Sequence, residues 1–407
     1  MKADTPEMQA MLTLLNQWSP ALYIDLHVSD GMDYQYDITF GYHGDTGVSA
    51  WSPHIGAWLN GTYRPAVENA LKAACHIPGR LVFELDDRDP SKGLTSGATM
   101  PRFSHAYGDL RHLPSILVEN HSLKPYRQRV LGTYVLLEAS LRTIGAGGKE
   151  LQQATTADQA ARPASIPMNW GDDNGGQIAR DFLGVAYETF VSPASGGTEI
   201  RWLGTPKIYP ALPVTLNKPD VQLRRPKAYW VPVTKVEVIS RLKLHGVRLE
   251  TLPAARTMTV EMYRLVNPRT QPNSGFHPFE GRHTLTTGVK TETRVESFAA
   301  GSVRVPTDQP LGDLAVALLE PESKDSLLAW GFFLEIQQRT EYIEGYVLAP
   351  MAERMLADDL KLKADFEAKL GADRKFAASP AARLRWFYER SPYYDDRYLL
   401  YPVGVER

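Results

Sequence analysis

Cysteine is nearly absent from this 407-residue chain, and its scarcity excludes two kinds of structure. The one thiol, Cys75, has no second thiol to join, so no intramolecular disulfide framework can hold the fold. A zinc site built from cysteines is excluded as well, because such a site needs several thiolates. We therefore expect Cys75 to serve as a small, buried apolar side chain.

Long apolar runs and an excess of one charge are also missing. No apolar stretch approaches the roughly 20 residues that a membrane-spanning helix needs. Lysine and arginine number 45 against 47 aspartates and glutamates, a net charge of −2, and the basic residues form no long run. This composition argues against a general nucleic-acid binder. With 43% apolar residues, the chain is long enough for two or three globular domains.

A candidate β-strand near the start of the chain ends in an imidazole. Leu22, Ile24 and Leu26 alternate as in a strand, and His27 closes the run. In an open α/β sheet, chemistry gathers just beyond the carboxyl ends of the strands. An imidazole placed there can offer a ring nitrogen to a metal ion. A buried, hydrogen-bonded histidine at a strand end is the alternative interpretation.

A second candidate strand ends in a carboxylate. Residues 116–118 are an apolar Ile-Leu-Val run, and Glu119 closes it. Burying a carboxylate there costs solvation unless the group is paired or used, and burial raises its pKa toward the range of a general base. A parallel sheet would bring His27 and Glu119 to the same edge.

Together these two segments resemble the zinc metallocarboxypeptidases, the carboxypeptidase A-like family, over roughly residues 1–145. The motifs that carry the resemblance are I-D-L-H-V-S-D-G at the first strand, and I-L-V-E followed by H-S-L-K-P-Y-R-Q-R-V at the second. The resemblance implies that His27 is the third zinc ligand and Glu119 the general base. It also implies one zinc ion, a peptide or protein substrate, and export of the parent protein to the periplasm or the medium.

The sequence departs from the family upstream of His27. The family's early His-x-x-Glu pair, which supplies two zinc ligands, and its Arg and Asn-Arg substrate clamps are absent before that position. We therefore expect the C-terminal part of a catalytic domain, from a truncated product of a longer gene. The His277-Pro-Phe-Glu280 match is interpreted as chance, because it contains a proline and follows the third ligand instead of preceding it.

Two further residues are candidate substrate contacts. Tyr107 lies between the two motifs, where a tyrosine of the family meets substrate, although its spacing to Glu119 fits poorly. Packing on a loop is the alternative for this phenol. Arg102 is a candidate partner for a substrate carboxylate, and a plain surface arginine is the alternative. The acidic turn at 84–89 is interpreted as solvated, against weaker readings as a calcium or glycosidase site.

The predicted fold class is α/β, with a partial carboxypeptidase-like mixed sheet and helices, followed by an all-β sandwich-like domain and a helical tail. The predicted boundaries are 1–148 for the α/β domain, 149–169 for a linker rich in Gly, Ala and Gln, 170–346 for the β-rich domain, and 347–407 for the helical, tyrosine-rich tail. The tail is expected to dock back on the body, since many aromatic side chains fit poorly in free solvent.

The predicted function is zinc-dependent hydrolysis of C-terminal peptide bonds. The alternative is a non-catalytic protein that binds peptide or glycan through a degenerate peptidase domain.

Overall fold

The computed structural model describes residues 1–47, 51–97, 99–172, 177–271, 281–339 and 342–407. Its α-helices are α1 (Pro6–Trp18), α2 (Pro53–Trp58), α3 (Arg64–Ala73), α4 (Ser104–Leu110), α5 (Tyr126–Ala160), α6 (Val236–Leu244), α7 (Gly312–Leu319), α8 (Gly345–Asp358), α9 (Leu360–Ala372), α10 (Arg374–Ala377) and α11 (Pro380–Tyr388). In the ranges above, no helix combines the length and the hydropathy of a membrane span.

The first sheet carries the two strands that the sequence singles out. Its order is β1 (Tyr23–Ser29), β6 (Ser115–His121), β2 (Ile38–Gly41) and β3 (Pro78–Arg80). Strands β1 and β6 run parallel, β2 is antiparallel to β6, and β3 is parallel to β2. The alternating apolar residues of the sequence thus form a strand as predicted, and the sheet is mixed, while its carboxypeptidase-like arrangement stays a prediction.

One face of this sheet packs against helix α5. Ile38 and Phe40 of β2 pack with Ile116 and Val118 of β6 against Leu136 of α5 in one buried cluster. Side chains alternate between the two faces of a strand, so the residues between these apolar ones point the other way. Helix packing on one face therefore leaves Glu119 on the opposite face.

The remaining strands form two further sheets. The second has the order β4 (Phe83–Glu84), β5 (Leu94–Gly97), β9 (Thr198–Arg224) and β7 (Ser165–Asp172), with β8 (Gln177–Val191) also paired to β9. The third has the order β11 (Glu250–Thr251), β14 (Val303–Pro306), β10 (Ala228–Val231), β15 (Leu400–Glu406), β12 (Arg256–Thr270) and β13 (Leu285–Phe298). Both sheets recruit strands from outside 170–346, and the sandwich arrangement stays a prediction.

The structure has a helix over much of the stretch that the sequence predicts as a linker. Helix α5 continues to Ala160, well into the predicted linker of residues 149–169, and bends at Gly147, where φ is −114°. Each glycine costs a helix about 1 kcal/mol relative to alanine. Tertiary contacts outweigh that cost, because Asp158 near the end of α5 contacts His54 and Ile55 of α2.

The C-terminal region is helical from α8 to α11, as predicted, and then returns to the body as a strand. Strand β15 lies between β10 and β12 in the third sheet. Tyr401 is fully buried there and donates a hydrogen bond to the Leu319 carbonyl oxygen at 2.8 Å. The expected docking of the tyrosine-rich end is thus confirmed at Tyr401, whereas Tyr393 stays exposed.

The prediction for Cys75 is wrong. The thiol is exposed, two residues after the end of α3, at a position where φ is +63°. The local sequence A-L-K-A-A-C resembles the apolar face of a helix, but the helix ends before the cysteine is reached.

Candidate active site

The structure brings His27 and Glu119 side by side. They are register partners on the adjacent parallel strands β1 and β6. Directly paired residues point to the same face of a sheet, so both side chains lie on the face opposite α5. The prediction that a parallel sheet would unite the two strand ends is confirmed.

Glu119 is a buried acid with a vacant acceptor. The residue is 7% exposed, and its Oε2 atom has no hydrogen-bond partner among the described residues. Burial raises the pKa of this carboxyl to about 7, and the nearby Asp25 and Asp30 push it in the same direction, while His27 opposes the rise. A carboxyl with a pKa near neutrality can both take and return a proton.

His27 is held by a neighbouring carboxylate. Its Nε2 atom lies 3.0 Å from Oδ2 of Asp25, two residues earlier on the same face of β1. The imidazole side chain is 52% exposed, so one edge of the ring reaches solvent. The contact with Asp25 engages Nε2 and orients the ring.

Tyr34 closes the far end of this face. Its hydroxyl lies 3.2 Å from Oγ of Ser29, and its ring meets the edge of His121 with centroids 4.4 Å apart. Burial raises the pKa of the phenol, and the Glu119 carboxylate adds to the rise. Tyr34 therefore stays a neutral hydrogen-bonding group beside Glu119.

A small cavity of about 80 Å³ opens on the same side of the sheet. Gly41 of β2 lines it and lies two residues beyond Thr39, the register partner of Glu119. His105 of α4 also lines it, and burial lowers the pKa of this imidazole to about 3, with His43 acting in the same direction. His105 is therefore neutral, and its Nδ1 has no partner in the part of the chain described here.

His105 is a residue that the sequence reasoning missed. It lies in the P-R-F-S-H-A-Y-G segment, two positions before Tyr107, and only the fold of α4 over the sheet brings it near Asp25. The sequence did contain a signal for it, because His105 is a histidine in the same short segment as Tyr107.

The two predicted substrate contacts have partners within the fold. The Tyr107 hydroxyl lies 2.8 Å from Nδ1 of His245, a fully buried residue that follows α6. Arg102 forms an ion pair with Asp325, with Nη2 and Oδ1 2.7 Å apart, and its backbone N–H donates to the same carboxylate. Tyr107 thus packs from helix α4 instead of from a loop, and Arg102 is paired to a buried carboxylate instead of being a plain surface arginine. A substrate role for either residue stays a prediction.

The residues at this face do not fit a complete zinc site. A catalytic zinc ion is usually held by three protein ligands and a water. Across the described ranges, no group of three or more His, Cys, Asp or Glu side chains is arranged to hold a metal ion. His27 is the register partner of Glu119, and the His277–Glu280 pair lies outside the described residues.

The buried Glu119 carboxyl should make the free energy of unfolding depend on pH. The folded-state pKa of Glu119, about 7, lies above its ordinary value of 4.5, so its contribution is complete below pH 4.5 and is lost as pH rises through 7. The glutamine variant Glu119→Gln is neutral throughout and avoids this loss. From pH 5 to pH 8, we expect wild type to lose on the order of 3 kcal/mol relative to the variant. Urea unfolding at both pH values checks this, and parallel pH curves for the two proteins would contradict it.

Comparison with known proteins gives partial matches to carboxypeptidases. The chain is 33% identical over 107 residues to carboxypeptidase 2 of Trichophyton tonsurans, covering 26% of this chain and 19% of that protein. It is 30% identical over 117 residues to carboxypeptidase 2 of Trichophyton rubrum, covering 29% and 21%. A probable carboxypeptidase 2 of Arthroderma benhamiae is 32% identical over 103 residues, covering 25% and 19%.

The chain thus matches about a fifth of the length of these curated relatives. No family model matches the chain, and no solved structure matches it. The chain is therefore similar to carboxypeptidases over about a quarter of its own length.

Proposed function

We propose that this chain acts on peptides as a carboxypeptidase-like hydrolase, with Glu119 as the group that transfers protons. The observation that carries the proposal is the buried Glu119 carboxyl, which has a pKa of about 7, a vacant Oε2 and His27 as its direct neighbour on β1. The partial similarity to carboxypeptidases supports peptide bonds as the substrate class.

In this proposal, the ionised Glu119 takes a proton from a water molecule that attacks the carbonyl carbon of the C-terminal peptide bond. Protonated Glu119 then gives that proton to the departing amine, which completes the cycle without net change in the enzyme. The His27 imidazole, oriented by Asp25 at 3.0 Å, lies close enough to Glu119 to influence its charge.

Zinc is the cofactor that the sequence resemblance implies, and His27 is the residue that we propose as a ligand. The described residues supply no set of three ligands around it. The proton transfers proposed above therefore involve Glu119, water and the departing amine.

The test is incubation of the purified chain with synthetic peptides that end in a free carboxylate or in an amide. Mass spectrometry follows the loss of residues from the C-terminus. The proposal expects stepwise loss from the free-acid peptides alone. Cleavage inside the peptides, or equal cleavage of both sets, would contradict the C-terminal specificity.

A second candidate function is peptide binding without turnover. It is favoured by the missing ligand group and by the internal partners of Tyr107 and Arg102. Calorimetry with the same free-acid peptides distinguishes the two functions, since a binding protein gives saturable heat while mass spectrometry detects no product.

A further inference from the structure

A second and larger cavity lies where the first sheet meets the second. Its volume of about 430 Å³ falls within the range of sites that bind small molecules. Asp45 and Ser96 line both this cavity and the 80 Å³ cavity described above, so the two cavities adjoin.

The larger cavity lies on the same side of the first sheet as the Glu119 side chain. Thr39 of β2 is the register partner of both Glu119 on β6 and Gly79 on β3, so the three positions form a row that shares one face. The ring of Tyr36, which lines the cavity, occupies that face, since a Cβ on Gly79 would lie 2.7 Å from Cγ of Tyr36. Neighbouring strands are about 4.8 Å apart, so this wall lies about 10 Å from Glu119, across two strands.

The second sheet is fixed against Tyr36 and completes the cavity. The Leu183 N–H of β8 donates to the Tyr36 hydroxyl at 3.3 Å, and the centroids of the Phe182 and Tyr36 rings are 5.4 Å apart. The apolar part of the lining consists of Val82, Leu94, Phe182, Val214 and Leu216. These side chains pack in one hydrophobic cluster, so the cavity is formed before any ligand binds.

The lining carries an excess of positive charge. Among the described residues that line the cavity, three are charged: Asp45, Arg80 and Arg180. Asp45 is buried and already paired with Arg64, with Oδ2 and Nη2 3.1 Å apart. Arg80 donates to the Asp45 backbone carbonyl at 2.6 Å and keeps half of its side chain exposed. Arg180 is exposed and has no ion pair in the part of the chain described here.

A buried hydroxyl in the same lining lacks a partner. Oγ1 of Thr46 is shielded from solvent and forms no hydrogen bond within the described ranges. Buried polar groups of native proteins are almost always hydrogen-bonded. A carboxylate bound in the cavity would accept from this hydroxyl and from an arginine, which are the donors that an anionic oxygen prefers.

We propose that this cavity binds an acidic side chain of the peptide substrate, at a residue about three positions before the bond that is cleaved. The carboxylate would meet Arg180 and Arg80, and the methylene groups would contact the apolar lining. An extended peptide advances about 3.4 Å per residue, so the separation of about 10 Å from Glu119 corresponds to three residues. Only one residue follows a C-terminal peptide bond, so these three residues must lie on its N-terminal side.

The inference rests on the proposed function, and the test therefore measures binding separately from hydrolysis. Calorimetry uses the Glu119→Gln chain and two free-acid peptides that differ only in Glu or Gln at the fourth residue from the C-terminus. We expect the Glu peptide to bind about tenfold more tightly, because its carboxylate forms charge-assisted hydrogen bonds with arginine. Added salt should shrink this difference, since it screens charges that are partly exposed.

Two arginine variants and a control identify the groups responsible. Arg180→Gln should lower the preference for the Glu peptide to about twofold or less. Arg80→Gln should lower it as well, although this variant also loses the hydrogen bond to Asp45. Arg201→Gln is the matched control and should keep the full preference, because Arg201 is an exposed arginine of β9 that pairs with Glu188 and does not line the cavity.

The possible results separate this inference from the proposed hydrolysis. Equal affinities for the two peptides, or a preference that survives in both arginine variants, would overturn the inference. Hydrolysis of the two peptides by wild type with equal kcat/KM would also overturn it and leave the proposed function intact. A preference for the Glu peptide without hydrolysis by wild type would support the binding site and contradict the proposed hydrolysis.

Discussion

Replacing Glu119 with glutamine is expected to lower the rate of peptide hydrolysis by about 10²- to 10⁴-fold. The amide keeps the size of the side chain but can neither accept a proton from water nor deliver one to the leaving amine. The measurement is the initial rate of release of the C-terminal residue from a free-acid peptide. Glu138→Gln, which removes an exposed partner of Arg142 on α5, is the matched control and should keep wild-type activity.

The pH profile provides a second readout of the same group. Glu119 must be ionised to act as a base, so hydrolysis should fall as pH drops through its pKa of about 7. Hydrolysis by Glu119→Gln at the wild-type rate, or a wild-type profile that is flat between pH 6 and 8, would show that another group transfers the proton. Equal unfolding free energies of variant and wild type near pH 5 would show that a loss of rate does not come from misfolding.

Replacing Asp158 with alanine should lower the free energy of unfolding by about 2–4 kcal/mol. Asp158 of α5 is fully buried, and one oxygen accepts from the backbone N–H of Ile55 at 2.8 Å. The other lies 2.7 Å from Nδ1 of His54 and accepts from its backbone N–H at 3.2 Å. Ser52 precedes α2 without capping it through its side chain, so Asp158 supplies the cap from another helix.

Urea unfolding monitored by circular dichroism measures the effect of Asp158→Ala. The control is Asp308→Ala, because Asp308 pairs with Arg162 at 3.0 Å but has a 91% exposed side chain. Exposed pairs of this kind contribute about 0–1 kcal/mol. Equal losses for the two variants would mean that the hydrogen bonds from His54 and Ile55 do not stabilise the fold.

The two strands of the candidate site could be predicted because the sequence patterns that specify them are local. Alternating apolar residues before His27 and a short apolar run before Glu119 each specify a strand without reference to distant residues. Their parallel pairing followed from one further assumption about the sheet, and the register confirms it. The raised pKa of Glu119 was likewise predictable, because burial at the end of an apolar strand is its main cause.

Other features depended on partners far along the chain. The continuation of α5 past its glycines depends on Asp158 meeting α2, about a hundred residues earlier. The place of β15 in the third sheet depends on pairing with β10 and β12. Neither contact has a counterpart in local periodicity.

The sequence by itself determined that this chain has two strands containing His27 and Glu119, each of which continues two residues further than predicted, and no disulfide framework. Only the tertiary structure decided that His105 lies near Asp25 and that Arg102 and Tyr107 have internal partners. The physical reason is the distance along the chain over which each interaction acts. Periodicity and capping act over a few residues, whereas edge pairing, burial of charge and hydrogen bonds across the core join segments whose meeting no local pattern encodes.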